Sequence, residues 1–241
     1  AAGILLRLSR VTEEDLGDLD AASELYQRVE KLGERVVEAW QALARVADAR
    51  GDGAEEVRVL RKLVDADAAQ VPNEARTKAL YRIAEVQLAG GEVDAGLETL
   101  NGALEREPRY GRAGAILQAA AAHAPEHDAL LALYEEVARA SGDPAMVLDF
   151  PERRAARPDA TLEHVREGVE RADAVEAGDR AEALLARGLD IARESEGGLR
   201  DALWVPISLA ERRAAAGDVG AAITHMRAAA EVAEGDEAFR L

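Results

Sequence analysis

The sequence contains no cysteine, which excludes disulfide bonds, thiolate metal sites and a cysteine nucleophile. Aromatic residues make up only 3% of the chain, so large rings cannot supply most of a hydrophobic core. No apolar run approaches the roughly 20 residues that a membrane-spanning helix requires, and we expect no membrane insertion. These absences leave small and aliphatic side chains as the material of the core.

Basic residues are also scarce relative to acidic ones, and the formal net charge is −17. A surface of this sign repels nucleic-acid phosphates, so no nucleic-acid partner is expected. The alanine, arginine and aspartate bias indicates a bacterial protein, for which we expect a cytoplasmic location. The first ten residues read as the middle of a helix with no basic leader, so we expect the chain to be part of a longer protein.

The residues that are abundant are strong helix formers, with 48% hydrophobic and 32% charged residues overall. This composition predicts an all-α fold. A glycine followed by an acidic residue recurs, and each pair predicts a helix-to-helix turn because glycine ends one helix and the acid caps the next. The pairs are Gly17-Asp18, Gly51-Asp52, Gly91-Glu92, Gly142-Asp143, Gly178-Asp179 and Gly217-Asp218.

Apolar spacing between these turns predicts thirteen helices, an odd number that leaves one helix unpaired between 110 and 160. Either 110–140 forms a hairpin, which the apolar residues of 133–137 favour, or 126–156 does, which Gly142-Asp143 favours. An extra turn is expected at 124–126. Pro151 is expected to kink or split its helix, and Pro206 is tolerated only in a first turn or at a bend. The stretch 194–198 is predicted to be a turn without an anion site.

The clearest unit runs from Leu80 to Pro108 and resembles the tetratricopeptide repeat (TPR) family. Its second helix places Gly96, Leu100 and Ala103 in the small, aromatic and small positions of the family pattern. A second unit matches at Trp40 but has Glu56 where a small residue is usual. The resemblance implies a right-handed α-solenoid of about six stacked antiparallel hairpins across 1–241, and it is nearly silent about function.

The same resemblance implies that the first helices of successive hairpins line a concave groove. The groove positions of the middle units hold Gln41, Arg45, Lys78, Tyr81, Arg82, Glu85 and Arg112. Four of these are cationic in an acidic protein, which favours an acidic peptide or a C-terminal carboxylate as ligand. The alternative is that these cations pair with glutamates four residues away on the same helix, as surface charges do.

A second, more apolar groove is predicted at the equivalent positions further along, which are Val165, Val169, Trp204 and Ile207. Such a groove suits an amphipathic helix or another copy of the chain. The alternative is that Trp204 simply fills space between helices.

Catalytic and metal sites are not expected. His123 and His127 are separated by Pro125 and do not share a helix face, and no nucleophile motif or phosphate loop is present. We therefore predict a non-catalytic scaffold without a cofactor that binds a peptide or protein segment. The alternatives are a structural or self-associating spacer in a large multidomain protein, and a regulatory sensor module attached to an effector domain.

Overall fold

The computed structural model describes residues 1–194 and 198–237. These residues form thirteen α-helices and no strand, which confirms the predicted all-α fold. A π-helical turn, Val11–Asp15, continues the first helix, and a short 3-10 helix, Gly198–Arg200, precedes the twelfth. The helices are α1 (Ala2–Arg10), α2 (Leu19–Lys31), α3 (Val36–Ala49), α4 (Gly53–Asp65), α5 (Asn73–Ala89), α6 (Val93–Arg106), α7 (Tyr110–His123), α8 (Asp128–Ser141), α9 (Pro144–Ala156), α10 (Leu162–Ala174), α11 (Gly178–Glu194), α12 (Trp204–Ala215) and α13 (Val219–Glu237).

The predicted glycine-acid turns are present at five of the six positions. At the turn between α3 and α4, Gly51 has a φ of 68°, and the Asp52 carboxylate accepts a hydrogen bond from the Glu55 N–H at 3.0 Å. The exception lies before α11, where Glu176 takes the left-handed conformation (φ 56°) and Gly178 already starts the helix. The turn there falls two residues earlier than predicted.

The prolines fit this helix order. Helix α9 continues through Pro151 without splitting. Pro206 lies in the first turn of α12, where the missing N–H has no intrahelical partner to lose. Pro125 lies in the predicted turn between α7 and α8. The turn predicted at 194–198 falls mostly outside the described residues.

Two compact units divide the chain, unit 1 at Ala1–Val137 and unit 2 at Ala138–Leu241. In unit 1, α1–α2, α3–α4 and α5–α6 form antiparallel hairpins, and each hairpin packs against the next. In unit 2, α10–α11 and α12–α13 pair in the same way, and α9 packs against α10. The repeating element is therefore a TPR-like helical hairpin. The hairpin phase between 110 and 160 and one continuous solenoid over 1–241 stay predictions.

Small residues set the separation of the paired helices. A Cβ atom added to Gly96 of α6 would lie 2.6 Å from Cγ of Leu88 in α5, closer than two carbon atoms can approach. In unit 2, a Cβ on Gly168 of α10 would lie 3.0 Å from Leu184 of α11, and one on Gly188 of α11 would lie 3.1 Å from Val165. The α5–α6 and α10–α11 hairpins pack closely because these side chains are absent.

The described part of the chain contains no helix that is both long enough and apolar enough to cross a membrane.

The close contact at Gly96 predicts a stability difference between two glycines of the same helix. Gly96→Ala should destabilise the protein by about 1–3 kcal/mol through overpacking against Leu88. Gly102→Ala, where the added Cβ meets no atom within 4 Å, should stabilise it by about 0.5–1 kcal/mol through helix propensity. Urea unfolding followed by circular dichroism measures both. A Gly96→Ala variant as stable as the wild type would show that α5 and α6 are not held at this distance.

Candidate peptide-binding groove

An open groove of about 490 Å³ lies between α5 and α7, two helices of unit 1 that contact each other directly. Its floor is apolar and buried, formed by Leu88, Ile116 and Ala120. Its remaining lining residues are Glu85, Ala89, Arg112, Ala115, Ala119 and His123. The groove therefore has an apolar base with charged residues only at its rim.

The open space follows from the sequence of α7. The lining residues of this helix recur three or four positions apart, from Arg112 to His123, and so they share one face. Ala115 and Ala119 lie on that face and are exposed, because their methyl groups are too short to reach α5. We predicted Arg112 at a groove but did not include these alanines. Ala115 and Ala119 follow Arg112 by three and seven residues, and this helical spacing predicts that they share its face.

The two histidines of this region form hydrogen bonds with different helices, His123 with α7 and His127 with α8. Nδ1 of His123 lies 3.0 Å from the Ala119 carbonyl oxygen, which can only accept a hydrogen bond, so this nitrogen donates. Nδ1 of His127 instead accepts from the Leu130 N–H at 3.3 Å and caps α8. The residues that the structure describes include no group of three or more acidic, histidine or cysteine side chains placed to hold a metal ion.

The predicted groove arginines join successive first helices through carboxylates. Arg45 of α3 makes a bidentate pair with Glu13 of the π-helical turn, at 2.7 and 2.8 Å. Arg82 of α5 pairs with Asp48 of α3 at 2.5 Å. Arg112 of α7 lies 3.8 Å from Glu85 of α5. We call these three contacts the ion-pair ladder. It joins different helices, and Arg82 in addition pairs with Glu85 of its own helix at 3.3 Å, as in the alternative of pairing within one helix.

The contacts of Glu56 explain why a glutamate stands where the repeat pattern usually has a small residue. This residue of α4 is only 4% exposed, and its carboxylate accepts hydrogen bonds from Nε of Arg82 at 2.6 Å and from Nη2 at 3.0 Å. The contact raises the pKa of the Arg82 guanidinium. Arg82 is therefore held by a buried carboxylate as well as by Asp48, and its charge is largely neutralised by the protein itself.

Glu13 is held in a similar way at the start of the ladder. Burial opposes ionisation of its carboxyl group, but hydrogen bonds from Arg45 and from the Tyr26 hydroxyl outweigh burial and lower its pKa. The Tyr26 hydroxyl donates to Glu13 at 2.7 Å, and burial together with this carboxylate raises the pKa of Tyr26. Glu13 is thus an ionised acceptor fixed by two donors from different helices.

Tyr81 does not line the groove, which corrects the prediction. Its side chain is fully buried, and its hydroxyl donates to the Glu107 carbonyl oxygen at 2.8 Å and accepts from the Arg109 N–H at 3.0 Å. Tyr81 therefore satisfies two backbone groups of the link between α6 and α7. Gln41 and Lys78 are exposed, on α3 and α5 respectively.

The second predicted groove does not form as a single surface. Val165 and Val169 belong to the core of unit 2, because α10 packs closely against α11 at Gly188. Trp204 is half-buried, and the Arg166 guanidinium lies 4.8 Å from its ring centroid. Ile207 is 37% exposed on α12. Burial of the two valines therefore corrects their placement in a groove.

Comparison with protein-family models finds no matching family, and no curated protein matches the sequence. Solved structures do match. RapI in its apo form is 14% identical, with 98% of each chain covered and a TM-score of 0.45. BtubC from P. vanneervenii is 18% identical, covering 93% of this chain and 92% of that one, with a TM-score of 0.36. TPR-like repeats of a Podosopora anserina kinesin light chain are 21% identical, covering 83% and 96%, with a TM-score of 0.34. At these identities and TM-scores we transfer no function or partner.

The buried pair of Arg82 and Glu56 predicts a strong coupling between the two side chains. Arg82→Gln should destabilise unit 1 by about 3 kcal/mol, because it leaves the Glu56 carboxylate buried without a counter-charge. The double variant Arg82→Gln/Glu56→Gln should recover more than half of that loss. Urea unfolding of the two single variants and the double variant measures the coupling.

Arg58→Gln is the matched control, since the Arg58–Glu55 pair is half-exposed and lies within one helix. Its loss should cost less than about 0.5 kcal/mol. Additive losses in the Arg82 and Glu56 variants would contradict the coupling.

Proposed function

We propose that this chain is a non-catalytic scaffold that binds a short peptide or protein segment in the groove between α5 and α7. The observation that carries the proposal is an open groove of about 490 Å³ with a buried apolar floor. Its ionisable lining residues are Glu85, Arg112 and His123, and two of these already contact each other. Apolar grooves with few polar groups suit the recognition of a partner side chain.

The lining also indicates which segment fits. The exposed methyl groups of Ala89, Ala115 and Ala119 offer an apolar surface to an aliphatic side chain. Arg112 has the longest contact in the ion-pair ladder, 3.8 Å from Glu85, so its guanidinium is the one best able to accept a second carboxylate. We therefore propose that the bound segment carries an apolar residue beside an acidic one.

Selection from a random peptide display library tests this proposal with the chain itself. The selected peptides should bind the wild type and lose at least about 10-fold in affinity on Ala115→Leu/Ala119→Leu, since two leucine side chains fill the groove. Arg112→Ala should weaken the acidic peptides by a further comparable factor through loss of a charge-assisted contact. Isothermal titration calorimetry measures both effects.

Ala122→Leu is the control, because Ala122 is exposed on α7 but does not line the groove. Its affinities should equal those of the wild type. Peptides whose binding is unchanged by the filled groove would contradict the proposal. If binding is lost in the filled-groove variant but unchanged in Arg112→Ala, only the proposed acidic residue of the bound segment would be contradicted.

A second candidate function is a self-associating spacer, and the first and last described helices favour it. Ile4, Leu8 and Val11 are 72%, 49% and 46% exposed, and lie at positions i, i+4 and i+7. On α13, Val219, Ile223 and Met226 have the same spacing and are 61%, 47% and 51% exposed. Each stripe is an apolar helix face of which about half or more is exposed, and an exposed apolar stripe is suited to contact with another chain.

Self-association through the α13 stripe predicts that sedimentation velocity will show a concentration-dependent mass. Ile223→Glu/Met226→Glu should shift the protein to monomer, because charges on the stripe cannot be buried against another chain. Thr224→Glu, which adds a charge on another face of α13, should leave the mass unchanged. A wild-type monomer at all concentrations would exclude this second function.

A further inference from the structure

A cavity of about 530 Å³ in unit 2 has a different chemistry from the groove between α5 and α7. It lies between α10 and the start of α12, and its lining includes Trp204, Arg166 and four carboxylates. The carboxylates belong to Glu163, Glu167, Glu170 and Asp201. An indole ring inside an anionic cavity is suited to a cation.

Trp204 already holds a cation from its own chain. The Arg166 guanidinium carbon lies 4.8 Å from the ring centroid, within the distance of a cation–π interaction. Arg166 is exposed and makes no ion pair among the described residues. Its guanidinium therefore covers the ring without being anchored elsewhere, and a cation from outside can take its place.

Most of the carboxylates of this cavity have no counter-charge. Glu167 is the exception, since it pairs with Arg171 at 2.6 Å and with Arg154 at 3.4 Å. Glu163, Glu170 and Asp201 form no ion pair in the part of the chain that the structure describes. Glu163, Glu167 and Glu170 follow the spacing i, i+4 and i+7, so they share one face of α10. The single guanidinium of Arg166 leaves an excess of negative charge beside the ring.

We propose that this cavity binds an arginine side chain of a basic peptide segment, and that Arg166 is a stand-in displaced by the ligand. The incoming guanidinium stacks on Trp204 and pairs with Glu163 or Glu170. Arginine fits better than lysine, because a planar guanidinium stacks on the indole while it donates in its own plane to carboxylates. This site is separate from the groove between α5 and α7 and prefers the opposite charge.

Calorimetric titration of the intact chain with a capped Gly-Arg-Gly-Arg-Gly peptide tests the inference. Arg166→Ala should tighten binding about 5-fold, because the ring no longer has to release its own cation. Trp204→Leu should weaken binding at least about 10-fold. The affinity of Trp204→Phe should lie between those of the wild type and Trp204→Leu, because phenylalanine keeps a smaller aromatic face. Glu163→Gln/Glu170→Gln should also weaken binding and flatten its dependence on salt.

Two controls separate the site from general attraction to an acidic protein. The same peptide with citrulline in place of arginine keeps the shape without the charge and should not bind. The filled-groove variant Ala115→Leu/Ala119→Leu should bind the arginine peptide like the wild type, which distinguishes failure here from failure of the proposed function. Weaker binding by Arg166→Ala would overturn the proposal, and so would binding that is unchanged in folded Trp204→Leu or Trp204→Phe.

Discussion

Close approach of paired helices is the constraint on which the rest of this structure depends. Leu88 of α5 occupies the space that a side chain at Gly96 would need, and Leu184 does the same at Gly168. A helix pair at this distance buries its alanines and leucines efficiently, because dispersion forces fall steeply with separation. Since few aromatic rings are available, the core consists of small and aliphatic side chains on helices that lie close together.

The ion-pair ladder acts between successive hairpins instead of within one. Side chains such as Arg45 and Arg82 lie on first helices, and their long stems span the distance to carboxylates on the preceding repeat. The net charge is −17, yet several of the arginines pair with carboxylates of the protein itself and so connect successive repeats. Charge on this face is largely cancelled, so shape and apolar lining distinguish the groove between α5 and α7 more than net charge does.

Local features of the fold were predictable from the sequence, and long-range ones were not. The turn at Gly51-Asp52 needs only the conformation of one residue and a cap three residues away, so the sequence pattern predicts it. The partner of Arg82 depends on how two hairpins pack, and no local pattern contains that information. Tyr81 was misplaced for the same reason, since its hydroxyl bonds backbone groups 26 and 28 residues away.

The π-helical turn at Val11–Asp15 has a consequence for how unit 1 tolerates insertions and deletions. A π-helical turn contains one residue more than an α-helical turn, and that residue rotates everything after it around the axis. Removing one residue here would restore α-helical geometry and swing the Glu13 carboxylate by about 100° away from Arg45 and Tyr26. A change of length by one residue in this turn would therefore break the contacts of Glu13 with Arg45 and Tyr26, although none of these three residues is itself replaced.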